Sequence, residues 1–184
     1  MHPDYRFCPR CATELVVRHA GERDRATCPA CGFVHWNNPA PVVAALIQVG
    51  DLIMLARNAA WPPRTFALIT GFLEAGESAE EGLVREIKEE TNLDVDRSEL
   101  IGVYDFKRKN ELIIAYHVIA SGEVRLSEEL VEYRMVEPAN LKPWRAGTGM
   151  AVADWMRARN LPFEFVDLPG ARPRPVRPEG GDGY

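Results

Sequence analysis

Acidic side chains crowd one short stretch of the chain. Seven glutamates and only two basic residues lie within residues 71–93, so this stretch accounts for the whole formal net charge of −5. Glu86, Glu89 and Glu90 fall in one arc of a helical wheel, where their like charges repel. Clustered carboxylates suit hard divalent cations such as Mg²⁺, which share their coordination with phosphate groups. The pattern indicates a metal site for a diphosphate substrate, with a solvated helix face as the alternative.

The cysteines form a second group with chemical meaning. All four lie in the first 31 residues, as two C-x2-C pairs separated by 16 residues: Cys8, Cys11, Cys28 and Cys31. Two such pairs on a small hairpin can complete a tetrahedral zinc site. Two disulfides or a redox C-x-x-C are the alternatives, and a reducing compartment and this spacing favour zinc. Four thiolates leave no coordination position open, so the zinc should be structural.

Composition limits the remaining classes of function. The chain has 184 residues, of which 46% are hydrophobic and 27% charged, which is enough to bury a core. Its longest apolar stretch, residues 41–49, is about half of the roughly 20 residues that a membrane helix needs. The first residues lack the apolar region of a secretory signal, so we expect a cytoplasmic protein without a membrane partner. The acidic balance argues against nucleic acid as the main partner.

The secondary structure that must position these groups mixes strands and helices. A turn at Gly50-Asp51 between two apolar runs predicts a hairpin. Ser78 followed by Glu81 has the form of a capping box, and Asn92 suits a left-handed helix end. We expect strands over residues 14–19, 25–28, 42–49, 52–57, 65–70, 100–106, 112–120 and 133–136, and helices over 79–91 and 149–159. On the first helix, Leu83, Val84, Ile87 and Thr91 should form the packed side.

The order of these elements predicts three segments. Residues 5–38 should form the zinc ribbon, and residues 39–166 a larger domain of strands and helices. Residues 167–184 are rich in proline, glycine and arginine and have little to bury, so they are expected to be disordered.

The acidic stretch resembles the Nudix box, G-x5-E-x7-R-E-U-x-E-E-x-G-U, in which U is an aliphatic residue. The matching residues are Gly71, Glu77, Arg85, Glu86, Ile87, Glu89, Glu90 and Leu93, and Asn92 stands where the pattern has its last glycine. The resemblance implies an α/β fold, a Nudix α/β/α sandwich with a mixed sheet, preceded here by the zinc ribbon. A ribbon before a Nudix domain resembles the NADH pyrophosphatase branch and ribbon-bearing proteins associated with FAD or ADP-ribose.

The resemblance also implies roles for individual residues. Glu86, Glu90 and Glu129, with the carbonyl of Thr70, would bind Mg²⁺ or Mn²⁺, and Glu89 would be a ligand or the base. Arg85 is expected to hold the box loop through Glu77 and Glu89 rather than to touch substrate. Three further residues are candidates for substrate binding: Trp36, Ala151 and Phe106. Phe106 lies in residues 104–110, where the NADH-selective branch has a Ser-Gln-Pro-Trp-Pro-Phe-Pro motif that this chain lacks.

The hypothesis that follows is a metal-dependent hydrolase. It would cleave the diphosphate linkage of a nucleoside diphosphate derivative, such as NADH, ADP-ribose or an FAD-like compound, into two monophosphates. One alternative is a non-catalytic nucleotide sensor, and another is decapping of NAD-capped RNA with help from the ribbon. Arginines on the ribbon, Arg10, Arg18, Arg23 and Arg25, favour the last, but Glu14, Glu22 and Asp24 offset them. A homodimer is a further expectation.

Overall fold

A computed structural model describes residues 5–167 of the chain. The chain divides into two compact units, with the boundary between Pro39 and Ala40. Apart from Asp167, the expected disordered tail lies outside the described residues. Among the residues described, no helix is both long and apolar enough to cross a membrane.

The first unit is built on a small antiparallel hairpin. Strands β1 (Val16–Ala20) and β2 (Arg23–Thr27) pair in a register that sets His19 opposite Asp24. The turn between them is therefore shorter than the four residues expected from the polar sequence at residues 21–24. Gly21 has φ +68°, a left-handed conformation that allows the chain to reverse within a two-residue turn.

The second unit contains a mixed six-stranded sheet and two helices. Its strands are β3 (Ala40–Val49), β4 (Leu52–Asn58), β5 (Ile69–Phe72), β6 (Asp94–Phe106), β7 (Glu111–Ser121) and β8 (Leu130–Val136). Helix α1 covers Ala79–Thr91, helix α2 covers Thr148–Ala158, and a 3-10 turn covers Pro138–Asn140. The strand order is β6-β7-β3-β4-β8, with β5 paired to β3. The β3–β7 pair is parallel and the other pairs are antiparallel.

Alternation along the central strand β3 separates two cores. Val43, Ala45 and Ile47 pack in the same cluster as Leu83 and Ile87 of α1. The intervening residues of β3 point the other way: Val42 and Ala44 pack with Ala151 of α2, and Leu46 packs with Val152 and Met156. Side chains of a strand alternate between the faces of its sheet, so the helices cover opposite faces. The expected α/β/α sandwich with a mixed sheet is confirmed.

Several expected strands have different bounds. The segment at residues 65–70 is buried as an apolar run, but pairing with β3 begins only at Ile69 and continues through Phe72. The residues before Ile69 are buried but pair with a strand only at one bridge, between Ala67 and Ala56 of β4, so the predicted bounds of this strand were wrong. Strand β6 begins at Asp94, six residues earlier than expected, because an edge strand tolerates the polar sequence that precedes Leu100.

Helix α1 begins and ends where its sequence predicts. The Ser78 Oγ accepts a hydrogen bond from the Glu81 amide at 3.2 Å, and the Glu81 carboxylate accepts one from the Ser78 amide at 2.7 Å. Asn92 ends the helix in the left-handed conformation at φ 62°. Leu83, Ile87 and Thr91 are buried as expected, whereas Val84 is 45% exposed and lies outside the packed side.

Removing the N-cap should destabilise the unit that contains α1. Ser78→Ala deletes the acceptor for the Glu81 amide and should lower the free energy of unfolding by about 1 kcal/mol. For a chain of this size the melting temperature should fall by roughly 2–4 °C. Thermal unfolding followed by circular dichroism measures the change. Ser98→Ala, in the edge strand β6, is the matched control, and an equal shift in both variants would contradict the capping role.

Candidate active site and zinc centre

Arg85 stands at the centre of the acidic cluster. Its Nε and Nη2 donate to the two carboxylate oxygens of Glu77 at 3.1 and 2.7 Å, and Nη2 also donates to the Phe72 carbonyl at 3.0 Å. Its Nη1 donates to Glu86 at 2.8 Å and to Glu89 at 3.2 Å. A guanidinium has five N–H groups, and these contacts use all of them. Arg85 therefore holds the loop before α1 against the helix, as the sequence led us to expect.

The partners of Arg85 are fixed as well. Glu77 also accepts a hydrogen bond from the Glu74 amide at 2.6 Å, and the pKa of Glu77 lies below its usual value because of the hydrogen bonds from Arg85 and Glu74. The carboxylates of Glu77 and Glu86 in turn raise the pKa of Arg85. Glu77 is thus held ionised within the loop, where it fixes the position of Arg85.

Gly71 makes room for the Glu86 carboxylate. This glycine lies within strand β5, opposite Val43, and a Cβ added to it would lie 1.8 Å from Cδ of Glu86. The sequence suggests that glycines at 71 and 76 allow tight turns. That explanation fits Gly76, which has φ +94°, whereas Gly71 is required by the close approach of a side chain.

Two other carboxylates meet in a pocket at the end of the helix. Glu90 of α1, Glu129 before β8 and Thr70 of β5 line the same open pocket. Backbone hydrogen bonds fix this end of the site, since the Ser127 amide donates to the Glu90 carbonyl at 3.0 Å and the Ala59 amide to the Glu129 carbonyl at 2.8 Å. Three of the four expected metal ligands therefore share one cavity.

The electrostatics of the pocket fit a cation. Burial raises the pKa of Glu90 to about 7, and the charges of Glu86, Glu129 and Glu89 add to the shift. A divalent cation would relieve both the desolvation and the mutual repulsion of these carboxylates. Glu86, the fourth expected ligand, accepts a hydrogen bond from Arg85. All-oxygen donors of this kind match Mg²⁺ or Mn²⁺.

The three expected substrate residues lie in two places. Phe106 and Ala151 belong to the same apolar cluster beside α2, and Ala151 is fully buried there, backbone included. Trp36 belongs to the first unit, where it is 54% exposed and has the Arg25 guanidinium 4.8 Å from its ring centroid.

Two residues that line the pocket are not predicted from the sequence. Trp61 and Asn58 line the pocket beside Glu90 and Glu129. Asn58 ends strand β4, and Trp61 follows in a turn closed by a hydrogen bond from the Trp61 amide to the Asn58 carbonyl at 3.0 Å. The sequence assigns Trp61 no role, because a tryptophan in a proline-containing loop can be a simple packing anchor. No local pattern in the sequence links this loop to the distant Glu90.

The four cysteines come together in the first unit. Their sulfur atoms all lie within 4.8 Å of one another, and within residues 5–167 no other Cys, His, Asp or Glu group of three or more is this compact. The two C-x2-C turns have matching hydrogen bonds, from the Ala12 amide to the Cys8 carbonyl and from the Gly32 amide to the Cys28 carbonyl. Hydrogen bonding to Thr13 lowers the pKa of Cys11, whereas burial and hydrogen bonds among the cysteines raise the pKa of Cys31. Thiols that share one site do not all ionise unless a cation such as zinc joins them.

Comparison with known proteins identifies the family. Residues 37–154 match the family model described as NUDIX domain, and residues 6–37 match the zinc-ribbon model described as Nudix N-terminal. The chain belongs to the Nudix family. A crystal structure of a NUDIX hydrolase from Nitrosomonas europaea agrees with this fold at a TM-score of 0.71 and 25% identity, covering 88% of this chain and 97% of that one.

Similar curated Nudix proteins share one name, NAD-capped RNA hydrolase NudC. The one from Stutzerimonas stutzeri (strain A1501) is 32% identical over 178 residues, which are 95% of this chain and 60% of the relative. The one from Pseudomonas aeruginosa (strain LESB58) is 33% identical over 129 residues, which are 69% of this chain and 45% of the relative. This Nudix chain therefore spans about three fifths or less of the length of these relatives.

A methyl group at position 71 should disturb metal binding. Gly71→Ala places a Cβ where the Glu86 carboxylate now lies, so that carboxylate must move. We expect the affinity for Mn²⁺ to fall about tenfold or more, which is about 1.4 kcal/mol. Titration calorimetry with Mn²⁺ measures the loss. Gly50→Ala, in the β3–β4 turn, is the control, and an unchanged Mn²⁺ affinity in Gly71→Ala would contradict the placement of Glu86 at the metal.

Replacing one thiolate should unfold the ribbon selectively. Cys28→Ser removes a sulfur from the cluster, and we expect zinc to be lost because a structural zinc site is closed by all four ligands. Metal analysis reports the zinc, and two-dimensional NMR reports which residues lose their native signals. Signals of residues 40–167 should remain. A ribbon that keeps its native signals in the zinc-free variant would contradict a structural role for zinc.

Proposed function

We propose that this Nudix protein is a Mg²⁺- or Mn²⁺-dependent hydrolase of the diphosphate linkage in a nucleoside diphosphate derivative, with two monophosphates as products. The observation that carries the proposal is the pocket at the end of helix α1, which Glu90, Glu129 and Thr70 share. The raised pKa of Glu90 supports it, since burying carboxylates together is unfavourable unless a cation joins them.

Different residues of the chain would bind the metal, act as the base and position the other side chains. Glu86, Glu90, Glu129 and the Thr70 carbonyl would hold the metal, which when bound supplies charge neutralisation of the diphosphate and an acidified water. Glu89 is our candidate for the base, because its side chain is 60% exposed and a hydrogen bond from Arg85 orients it. Its alternative role is that of a further ligand. Arg85 and Glu77 would act by positioning these carboxylates.

The substrate class is the open part of the proposal. The name of the relatives, NAD-capped RNA hydrolase, favours a dinucleotide diphosphate, either free or at the end of an RNA. NADH, ADP-ribose and FAD-like compounds remain candidates with NAD-capped RNA. Trp36 and Phe106 are proposed to contact the substrate, and the backbone of Ala151, which is fully buried, would join them only after α2 or its surroundings move. Trp61, which lines the pocket, joins them as a candidate.

Two expectations about the protein's setting belong to the same proposal. Thiolate ligands of zinc persist best under reducing conditions, which supports a cytoplasmic location. The homodimer also stays a prediction. Strand β6 is an edge strand with Leu100 and Val103 more than half exposed, so it could pair with a second copy.

A panel of diphosphate substrates with Mg²⁺ or Mn²⁺ tests the activity. Products from NADH, NAD⁺, ADP-ribose, FAD and NAD-capped RNA would be separated by chromatography. Glu90→Gln should lower kcat by about a hundredfold or more, because the metal supplies several kcal/mol of transition-state stabilisation. Glu128→Gln, an exposed neighbour of Glu129, is the matched control and should keep its activity.

Each outcome of the panel has a clear meaning. Hydrolysis of one compound that is lost in Glu90→Gln and retained in Glu128→Gln supports the proposal and identifies the substrate class. Equal activity in both variants would contradict the metal site. Tight binding of a nucleotide without turnover of any compound would replace the hydrolase with the sensor hypothesis.

A further inference from the structure

The β1–β2 hairpin of the ribbon has a face that carries three arginines. Side chains of a strand alternate between faces, so Arg18 of β1 shares a face with Arg25 and Arg23 of β2. The register sets Arg18 directly opposite Arg25, and Arg23 opposite Ala20. We call this set, Arg18, Arg23 and Arg25, the arginine face. Like charges directly opposite each other destabilise a strand pair, so this arrangement favours an anion on the face.

Two acidic residues of the ribbon, Glu14 and Asp24, do not neutralise this face. Glu14 lies 3.3 Å from Arg6, outside the hairpin strands, and Asp24 lies 3.3 Å from His19, with which it shares the other face. Within the described residues, Arg18 and Arg23 make no ion pair with a carboxylate, and both are exposed. Glu14 and Asp24 are therefore separated from the arginine face, whereas Glu22 lies in the turn beside Arg23 and makes no ion pair within the described residues.

An aromatic ring adjoins the arginine face. The Arg25 guanidinium lies 4.8 Å from the ring centroid of Trp36, and its Nη1 donates to the Ala20 carbonyl. Trp36 remains 54% exposed, so its ring can receive a second flat group. Arginines that track a phosphate backbone beside an aromatic ring that stacks a base are the usual means of binding single-stranded nucleic acid.

We propose that the arginine face binds the single-stranded RNA that follows the 5′ end of a capped transcript, with Arg18 and Arg23 on phosphates and a base beside Trp36. The inference rests on the proposed function, because it assigns the RNA part of one candidate substrate to the ribbon. An acidic peptide would pair with the arginines equally well, but its carboxylates would not stack on the adjoining Trp36 ring. RNA is therefore the partner that fits both features.

Binding of a fluorescently labelled, short single-stranded RNA to the full chain tests the proposal by anisotropy. The variant Arg18→Glu with Arg23→Glu should bind at least tenfold more weakly. Its plot of log affinity against log salt should be shallower by about 0.7 for each phosphate that the protein no longer neutralises. Arg6→Glu with Arg10→Glu makes the same change in charge in the same unit and should have a smaller effect. Zinc content must equal that of the unaltered protein in both.

Further measurements separate this proposal from its alternatives. Trp36→Ala should weaken RNA binding several-fold and leave the binding of inorganic polyphosphate unchanged. If both double variants weaken RNA binding equally, or polyphosphate competes as well as RNA of equal charge, the arginine face is not an RNA site. ADP-ribose or NADH hydrolysis by Arg18→Glu with Arg23→Glu should match the unaltered protein while kcat/KM on capped RNA falls. Absence of hydrolysis by the unaltered protein would instead overturn the proposed function.

Discussion

The candidate active site depends on the saturation of one guanidinium. Arg85 has five N–H groups, and Glu77, Glu86, Glu89 and the Phe72 carbonyl accept all of them. These bonds join the loop before α1 to the helix itself. Because a cation with every donor engaged has none left for a ligand, Arg85 is well suited to fix carboxylates and poorly suited to bind a phosphate. A lysine has only three N–H groups, so replacing Arg85 with lysine would leave at least two of these five hydrogen bonds unmade.

That arrangement divides the acidic residues into two groups with different energetics. Glu77, Glu86 and Glu89 accept hydrogen bonds from Arg85, whose single positive charge offsets part of their negative charge. Glu90 and Glu129 face the pocket, and burial with nearby like charges raises the pKa of Glu90 to about 7. An uncompensated buried carboxylate destabilises the fold, and a bound divalent cation would return that stability. Such a local instability would favour the binding of a cation in this pocket.

What the sequence predicts well here is local, and what it misses is assembled from distant segments. The caps of α1 at Ser78 and Asn92 depend on neighbouring residues, and the structure confirms both. The strand prediction at residues 65–70 is wrong in its bounds because burial by distant elements gives the same apolar run as a strand. The link between Trp61 and Glu90 arises only when β4, β5 and α1 fold together. Glu129 entered the prediction through a resemblance that extends beyond the Nudix box to the NADH pyrophosphatase branch, which local spacing could not supply.

Net charge is the property for which the sequence alone is most misleading. The value of −5 is confined to residues 71–93, where the carboxylates serve the proposed metal site, so the rest of the chain is formally neutral. Within the ribbon, pairing of β1 with β2 then separates the arginines of one face from Asp24 on the other. Electrostatic attraction over a few ångströms depends on this local distribution and is screened beyond about a Debye length. An acidic chain can therefore present a basic surface, and the two units can attract opposite charges, a cation at the carboxylates and an anion at the arginine face.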